Sequence, residues 1–111
     1  MRERRVRFTA TAQAHLHCER QWWLEHRDYG EILAAELEEA VKLLTLLPGA
    51  GTAYAEAGVA GLRRLYLEKV GCHIYYTFDD EQVTVRALWG ARQGSWAISW
   101  IVEVEVRALS A

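Results

Sequence analysis

Two periodicities divide the chain. In "ERRVRFT", residues 3–9, Val6 and Phe8 alternate with Arg5 and Arg7, which is the spacing of a strand with two unlike faces. From Ala10 to about Arg27 the apolar positions move to helical spacing. Ala12, Leu16 and Trp23 form one stripe, with Ala14, Cys18 and Trp22 beside them. Thr9 or Thr11 supplies the cap, because a threonine hydroxyl accepts one of the amide protons that a first helical turn leaves unpaired. "RDYG" at 27–30 interrupts the pattern, with Gly30 as the break. A second helix runs from about Glu31 to Leu47. Its stripe is Leu33, Leu37, Ala40, Leu44 and Leu47, widened by Val41 and Leu43, with Glu38 and Lys42 paired on the flank. Pro48 and Gly49 stop it. The short link makes the two helices antiparallel neighbours.

Past the second helix the period returns to two. Residues 48–61, "PGAGTAYAEAGVAG", form a long glycine-rich loop of the kind that is often functional or mobile; it lacks the lysine and Ser/Thr of a phosphate-binding loop. Three strands are expected next. Residues 62–69 set Leu65 and Leu67 against Arg64, Tyr66 and Glu68. Residues 72–78 set Cys72, Ile74, Tyr76 and Phe78 against His73, Tyr75 and Thr77. Residues 83–89 set Val83, Val85, Ala87 and Trp89 against Thr84, Arg86 and Leu88. "VG" and "DDEQ" are short enough to make these an antiparallel meander. In the tail, Trp96, Ile98, Trp100, Val102, Val104 and Val106 alternate with small or charged residues, so 95–111 reads as a strand-like extension that adds a strand to this sheet or to a second copy of the chain in a homodimer.

The expected architecture is α+β: an N-terminal strand, then an antiparallel helical hairpin packed on one face of a mostly antiparallel sheet of about four strands. The leucine stripe covers the face bearing Ile74 and Val85, because that packing buries both apolar surfaces at once. His73 and Arg64 are then left together on the reverse face. With 111 residues, 51% of them hydrophobic and 25% charged, one domain with one core is expected.

Composition narrows the chemistry. The net charge of −2 argues against a general nucleic-acid coat, although eleven of the thirteen basic side chains are arginine, the residue that grips carboxylate and phosphate as a planar fork. Two cysteines, Cys18 and Cys72, are too few for a disulfide framework and lie at no metal-ligand spacing. His15 and His17 are two apart on a helix and face different ways, so both read as helix-surface residues, and neither a metal nor a cofactor is expected. "MRERRVRF" has no apolar segment behind its charges, and no run approaches the length of a membrane span, so a soluble cytoplasmic protein is expected.

The order of elements, together with "LRRLYLEKVGCHIYYTFDDEQVTVRALWGARQG" at 62–94, resembles the RelE/ParE superfamily, the toxin halves of type II toxin–antitoxin pairs. The matching pieces are a basic strand with Arg63 and Arg64, the Gly71 turn, the aromatic strand with Tyr75 and Tyr76, and a last strand ending in Trp89 and Arg92. "LLPGAG" after the second helix fits as well. The likeness covers roughly residues 5–94, so 1–94 is taken as the toxin-like domain, and 95–111 as an extension outside it.

The resemblance implies two mechanisms. Ribonuclease members cut messenger RNA on the ribosome, and ParE-like members poison DNA gyrase by binding it. Carried over by position, Arg64 and Tyr66 stand where the ribonucleases have lysines, His73 at a strand arginine and Arg92 at the final arginine. The terminal tyrosine has no counterpart, since none follows Tyr76. Chemically, arginine stabilises a phosphorane but cannot act as a base, which leaves His73 as the one proton shuttle, with no evident acid. Each of these residues taken singly is also an ordinary polar member of a strand. The expected function is therefore a ParE-like toxin that inhibits gyrase and is neutralised by a cognate antitoxin. The binding surface is drawn from Arg63, Arg64, Tyr66, Tyr75, Arg86, Trp89, Arg92, Trp96 and Trp100. The alternatives are a ribosome-dependent endoribonuclease using His73, Arg64 and Arg92, or a non-toxic relative that only binds its antitoxin.

Overall fold

The computed structural model describes residues 3–26, 30–55 and 58–90. Strand β1 spans Arg5–Phe8, helix α1 Ala10–His26 and helix α2 Gly30–Leu46. A single 3-10 turn, Pro48–Ala50, leads into β2 (Thr52–Ala53), followed by β3 (Arg63–Leu67), β4 (Cys72–Phe78) and β5 (Gln82–Gly90). The five strands form one sheet in the order β1-β5-β4-β3-β2. β1 lies parallel to β5, and every other pairing is antiparallel. The α+β arrangement is as expected, with a fifth strand where the sequence suggested about four. The tail strand expected at 95–111 lies outside the described residues.

The main core lies between the hairpin and one face of the sheet. Leu33, Ala40 and Leu44 of α2 and Ala12 of α1 meet Cys72, Ile74 and Tyr76 of β4 and Val83, Val85 and Leu88 of β5. Leu16, Trp23 and Leu37 pack against this cluster, so both helical stripes point where their spacing directed them. Each large side chain buried there contributes about 1.5–3 kcal/mol. Leu43 and Leu47, expected to extend the α2 stripe, are exposed instead. The helix ends at Leu46, and Leu47 leaves it at φ −129° and ψ 73°, turning its side chain off the core.

Thr9 joins the two layers. Its hydroxyl accepts the amide proton of Ala12 at 3.1 Å, which caps α1. Its backbone N–H donates to Val85 O at 3.0 Å, and its hydroxyl donates to Arg86 O at 3.4 Å.

That anchorage holds an irregularity in β5. Tyr76 pairs with Val85 but Tyr75 pairs with Ala87, so Arg86 is an extra residue on β5. A β-bulge of this kind resets the alternation of side chains beyond it. Val83 and Val85 face the main core, as the alternation predicted. After the bulge it is Leu88 that faces the core, while Ala87 and Trp89 turn to the reverse face, opposite to the expected assignment.

The reverse face carries a second, smaller cluster of Tyr54, Leu62, Tyr75 and Ala87, with Val59 and Trp89 packed on it. The glycine-rich segment after α2 therefore covers part of the face expected to lie open. No helix among the described residues is long and apolar enough to cross a membrane.

Candidate functional site

The uncovered part of the reverse face is built from β3, β4 and the loop entering β2. Across β3 and β4, Tyr66 pairs with His73 and Arg64 with Tyr75, which makes Arg64 and His73 diagonal neighbours on one face. Across β4 and β5, His73 pairs with Trp89, a juxtaposition that exists because of the bulge at Arg86. The third wall is Ala50, Gly51 and Thr52. Together with Arg64, Leu65, Tyr66 and His73 they enclose a pocket of about 200 Å³.

The pocket wall is held by Tyr76 and Arg63 from the sheet. The buried Tyr76 hydroxyl donates to Pro48 O at 2.7 Å and accepts the Gly51 N–H at 2.9 Å. The Arg63 guanidinium donates to Gly49 O and Gly51 O. The fit leaves no space for a side chain at position 51. A Cβ there would lie 2.5 Å from Arg64 O and 2.6 Å from the Tyr76 hydroxyl, so glycine is required by close approach. Gly71, at the β3–β4 turn, is glycine for a different reason: its φ of +65° lies in the left-handed region.

His73 is half-buried. Its ring lies 4.8 Å from that of Tyr66, tilted by 43°, and 6.0 Å from that of Tyr75. Burial, and secondarily the positive charge of Arg64, hold its pKa below the ordinary value of 6.5, so the ring is neutral at pH 7. The Arg64 guanidinium sits 4.8 Å from the centre of the Tyr54 ring, and no carboxylate pairs with it among the described residues.

The residues singled out by sequence separate into three groups. Arg64, Tyr66 and His73 come together in the pocket, with Trp89 beside His73 on β5. Arg63, Tyr75 and Arg86 have structural duties. Arg63 clamps the loop carbonyls. Tyr75, expected on an open surface, is only 2% exposed, because Tyr54 and Leu62 pack over it. The Arg86 side chain donates from Nε to the Thr77 hydroxyl at 2.9 Å. Arg92, Trp96 and Trp100 lie outside the described residues.

Two contributors were not anticipated. His15, expected on the α1 surface, accepts the Leu88 N–H at Nδ1 (3.2 Å) and meets the Trp89 ring edge-on at 5.6 Å. It completes the edge of β5 beyond the reach of the four-residue β1. Tyr54 supports Arg64 through its ring and contacts Tyr75 edge-on at 5.2 Å. Neither role has a local sequence signal. Among the described residues, no group of three or more His, Cys, Asp or Glu could hold a metal ion.

No family model matches the chain, and no curated protein matches it. Solved structures do. A chain of the chromosomal ParDE TA system from P. aeruginosa superposes with a TM-score of 0.65 at 17% identity, over 79% of this chain and 96% of that one. A chain of the toxin-antitoxin complex RelBE2 from Mycobacterium tuberculosis gives a TM-score of 0.56 at 27% identity, over 79% of this chain and 91% of that one. With the strand motifs of residues 62–90 set in order on this sheet, the chain has the fold of the RelE/ParE superfamily.

Proposed function

We propose that the chain is the toxin of a type II toxin–antitoxin pair, that a cognate antitoxin neutralises it, and that it acts in the ParE-like manner by binding DNA gyrase in the cytoplasm. The observation that carries a binding role is how the reverse face deploys its ionisable groups. Cleavage of RNA by an internal 2′-hydroxyl needs a base, an acid and cationic stabilisation of the phosphorane. Among the described residues the pocket offers one imidazole, His73, and one cation, Arg64. Arg63 is engaged with the loop carbonyls and Arg86 with Thr77. Aromatic and arginine side chains grouped in this way make a good protein-contact surface.

The alternative is a ribosome-dependent endoribonuclease. It draws support from a half-buried His73 that is neutral at pH 7 beside a cation, as a general base must be, and from the likeness to the RelBE2 chain.

Induced expression in a bacterial host separates the readings. Growth arrest with a DNA-damage response and intact transcripts, together with inhibition of gyrase supercoiling by the purified chain, supports the proposal. Rapid transcript cleavage assigns the chain to the endoribonucleases instead. Absence of any toxicity identifies a relative that only binds its antitoxin.

A further inference from the structure

The pocket between β2, β3 and β4 contains two groups that nothing among the described residues satisfies. The Arg64 guanidinium rests on the Tyr54 ring and makes no hydrogen bond or ion pair there, although it carries five N–H donors in a planar fork. The His73 ring has aromatic neighbours but no hydrogen-bond partner. Among the described residues no Asp or Glu lines the pocket. A neutral imidazole and an unpaired guanidinium on diagonal positions are the complement of a single anion placed between them.

We infer that this pocket receives one carboxylate side chain of a protein partner, gripped by Arg64 and by a His73 that takes up a proton as the carboxylate enters. The inference rests on the reading that this face binds protein. A lone carboxylate fits better than a nucleic-acid backbone for two reasons. The pocket, at about 200 Å³, has the scale of one side chain. The arginines that would meet successive phosphates, Arg63 and Arg86, are hydrogen-bonded elsewhere, and the chain's net charge of −2 does not steer a polyanion.

The proton follows from the same geometry. Among the described residues the groups facing His73 are Arg64 and Tyr66 from β3, Tyr75 from β4, Trp89 from β5 and Thr52 from the β2 side, and the formal charge they bring is positive. In the free protein Arg64 therefore opposes protonation of His73. A carboxylate seated between them reverses that balance, and the imidazolium then donates to it. Binding coupled to uptake of one proton tightens as pH falls, by up to about tenfold per pH unit, until free His73 itself becomes protonated.

The test is a titration of the full chain, followed by the NMR signals of the His73 ring. The probe is an acetylated, amidated alanine pentapeptide with glutamate at its centre. The controls are the same peptide with glutamine and a hexa-adenylate RNA. The expected result is movement of the His73 signals by the glutamate peptide, at least roughly tenfold weaker binding of the glutamine peptide, and a rise in the His73 titration midpoint on binding. Arg64→Gln weakens the glutamate peptide by a similar factor. His73→Gln, followed by the ring signals of Tyr66 and Trp89 in place of the missing imidazole, still binds it but without pH dependence, and this variant decides the matter if Arg64→Gln does not fold. Failure of the glutamate peptide to move these signals overturns the inference, as does binding of the RNA in its place. Gyrase inhibition by the wild-type chain is measured in parallel. Intact inhibition beside a failed titration removes the pocket assignment alone, whereas lost inhibition removes the functional reading.

Discussion

Replacing Tyr76 by phenylalanine removes one oxygen from the centre of the molecule. That oxygen belongs to a residue with no solvent exposure, and it satisfies two backbone groups of the loop, the carbonyl of Pro48 and the N–H of Gly51. Both of those residues are buried as well, so solvent does not readily replace the hydroxyl. A typical hydrogen bond contributes about 1 kcal/mol net, but each buried group left without a partner costs about 1–3 kcal/mol. Two such groups put the expected loss at about 2–6 kcal/mol, a large share of the ~5–15 kcal/mol that stabilises a domain of this kind. At roughly 4 °C per kcal/mol for a chain of this size, Tm should fall by about 8–24 °C. Urea denaturation and calorimetry measure the change. Ile74→Val is the matched control: it also removes a single heavy atom from the same strand and core, with no polar partner, and costs about 0.5–1.5 kcal/mol. If Tyr76→Phe proves no worse than Ile74→Val, the reasoning fails, and the hydroxyl is not what fixes the loop to the sheet.

Three further outcomes are expected. Gly51→Ala should destabilise the fold, because its methyl group meets the Arg64 carbonyl and the Tyr76 hydroxyl; in the Tyr76→Phe background the added cost should be smaller but not zero, as a double-mutant cycle will show. His73 has a folded-state pKa below its unfolded value of 6.5. Its contribution is therefore complete above that pH and is lost as pH falls through the folded value, so wild-type stability should drop more steeply than that of His73→Gln in urea melts on the acid side of 6.5. Deleting Arg86 should retain the native near-UV circular dichroism, because Val85 and Ala87 then follow each other opposite Tyr76 and Tyr75 in regular alternation, with Leu88 still in the core and Trp89 on the reverse face; loss of that signal would show that the bulge itself is needed.

Sequence by itself determined the elements and the coarse packing. The four-and-three spacing from Leu33 to Leu44 and the alternation through Cys72, Ile74 and Tyr76 are local, periodic signals. They suffice to place the hairpin on one face and His73 with Arg64 on the other, because burying both apolar surfaces together is the one economical arrangement. What tertiary structure alone decided is the make-up of that second face. One extra residue at Arg86 moved Leu88 and Trp89 to opposite sides, and strict alternation carries no warning of a bulge. Tyr75 became a core residue because Tyr54 and Leu62, remote in sequence, fold over it, and His15 became an edge cap because β1 stops short of the end of β5. These outcomes depend on which distant backbone groups are left unpaired and which apolar surface is left uncovered, quantities that exist only once the chain has closed on itself.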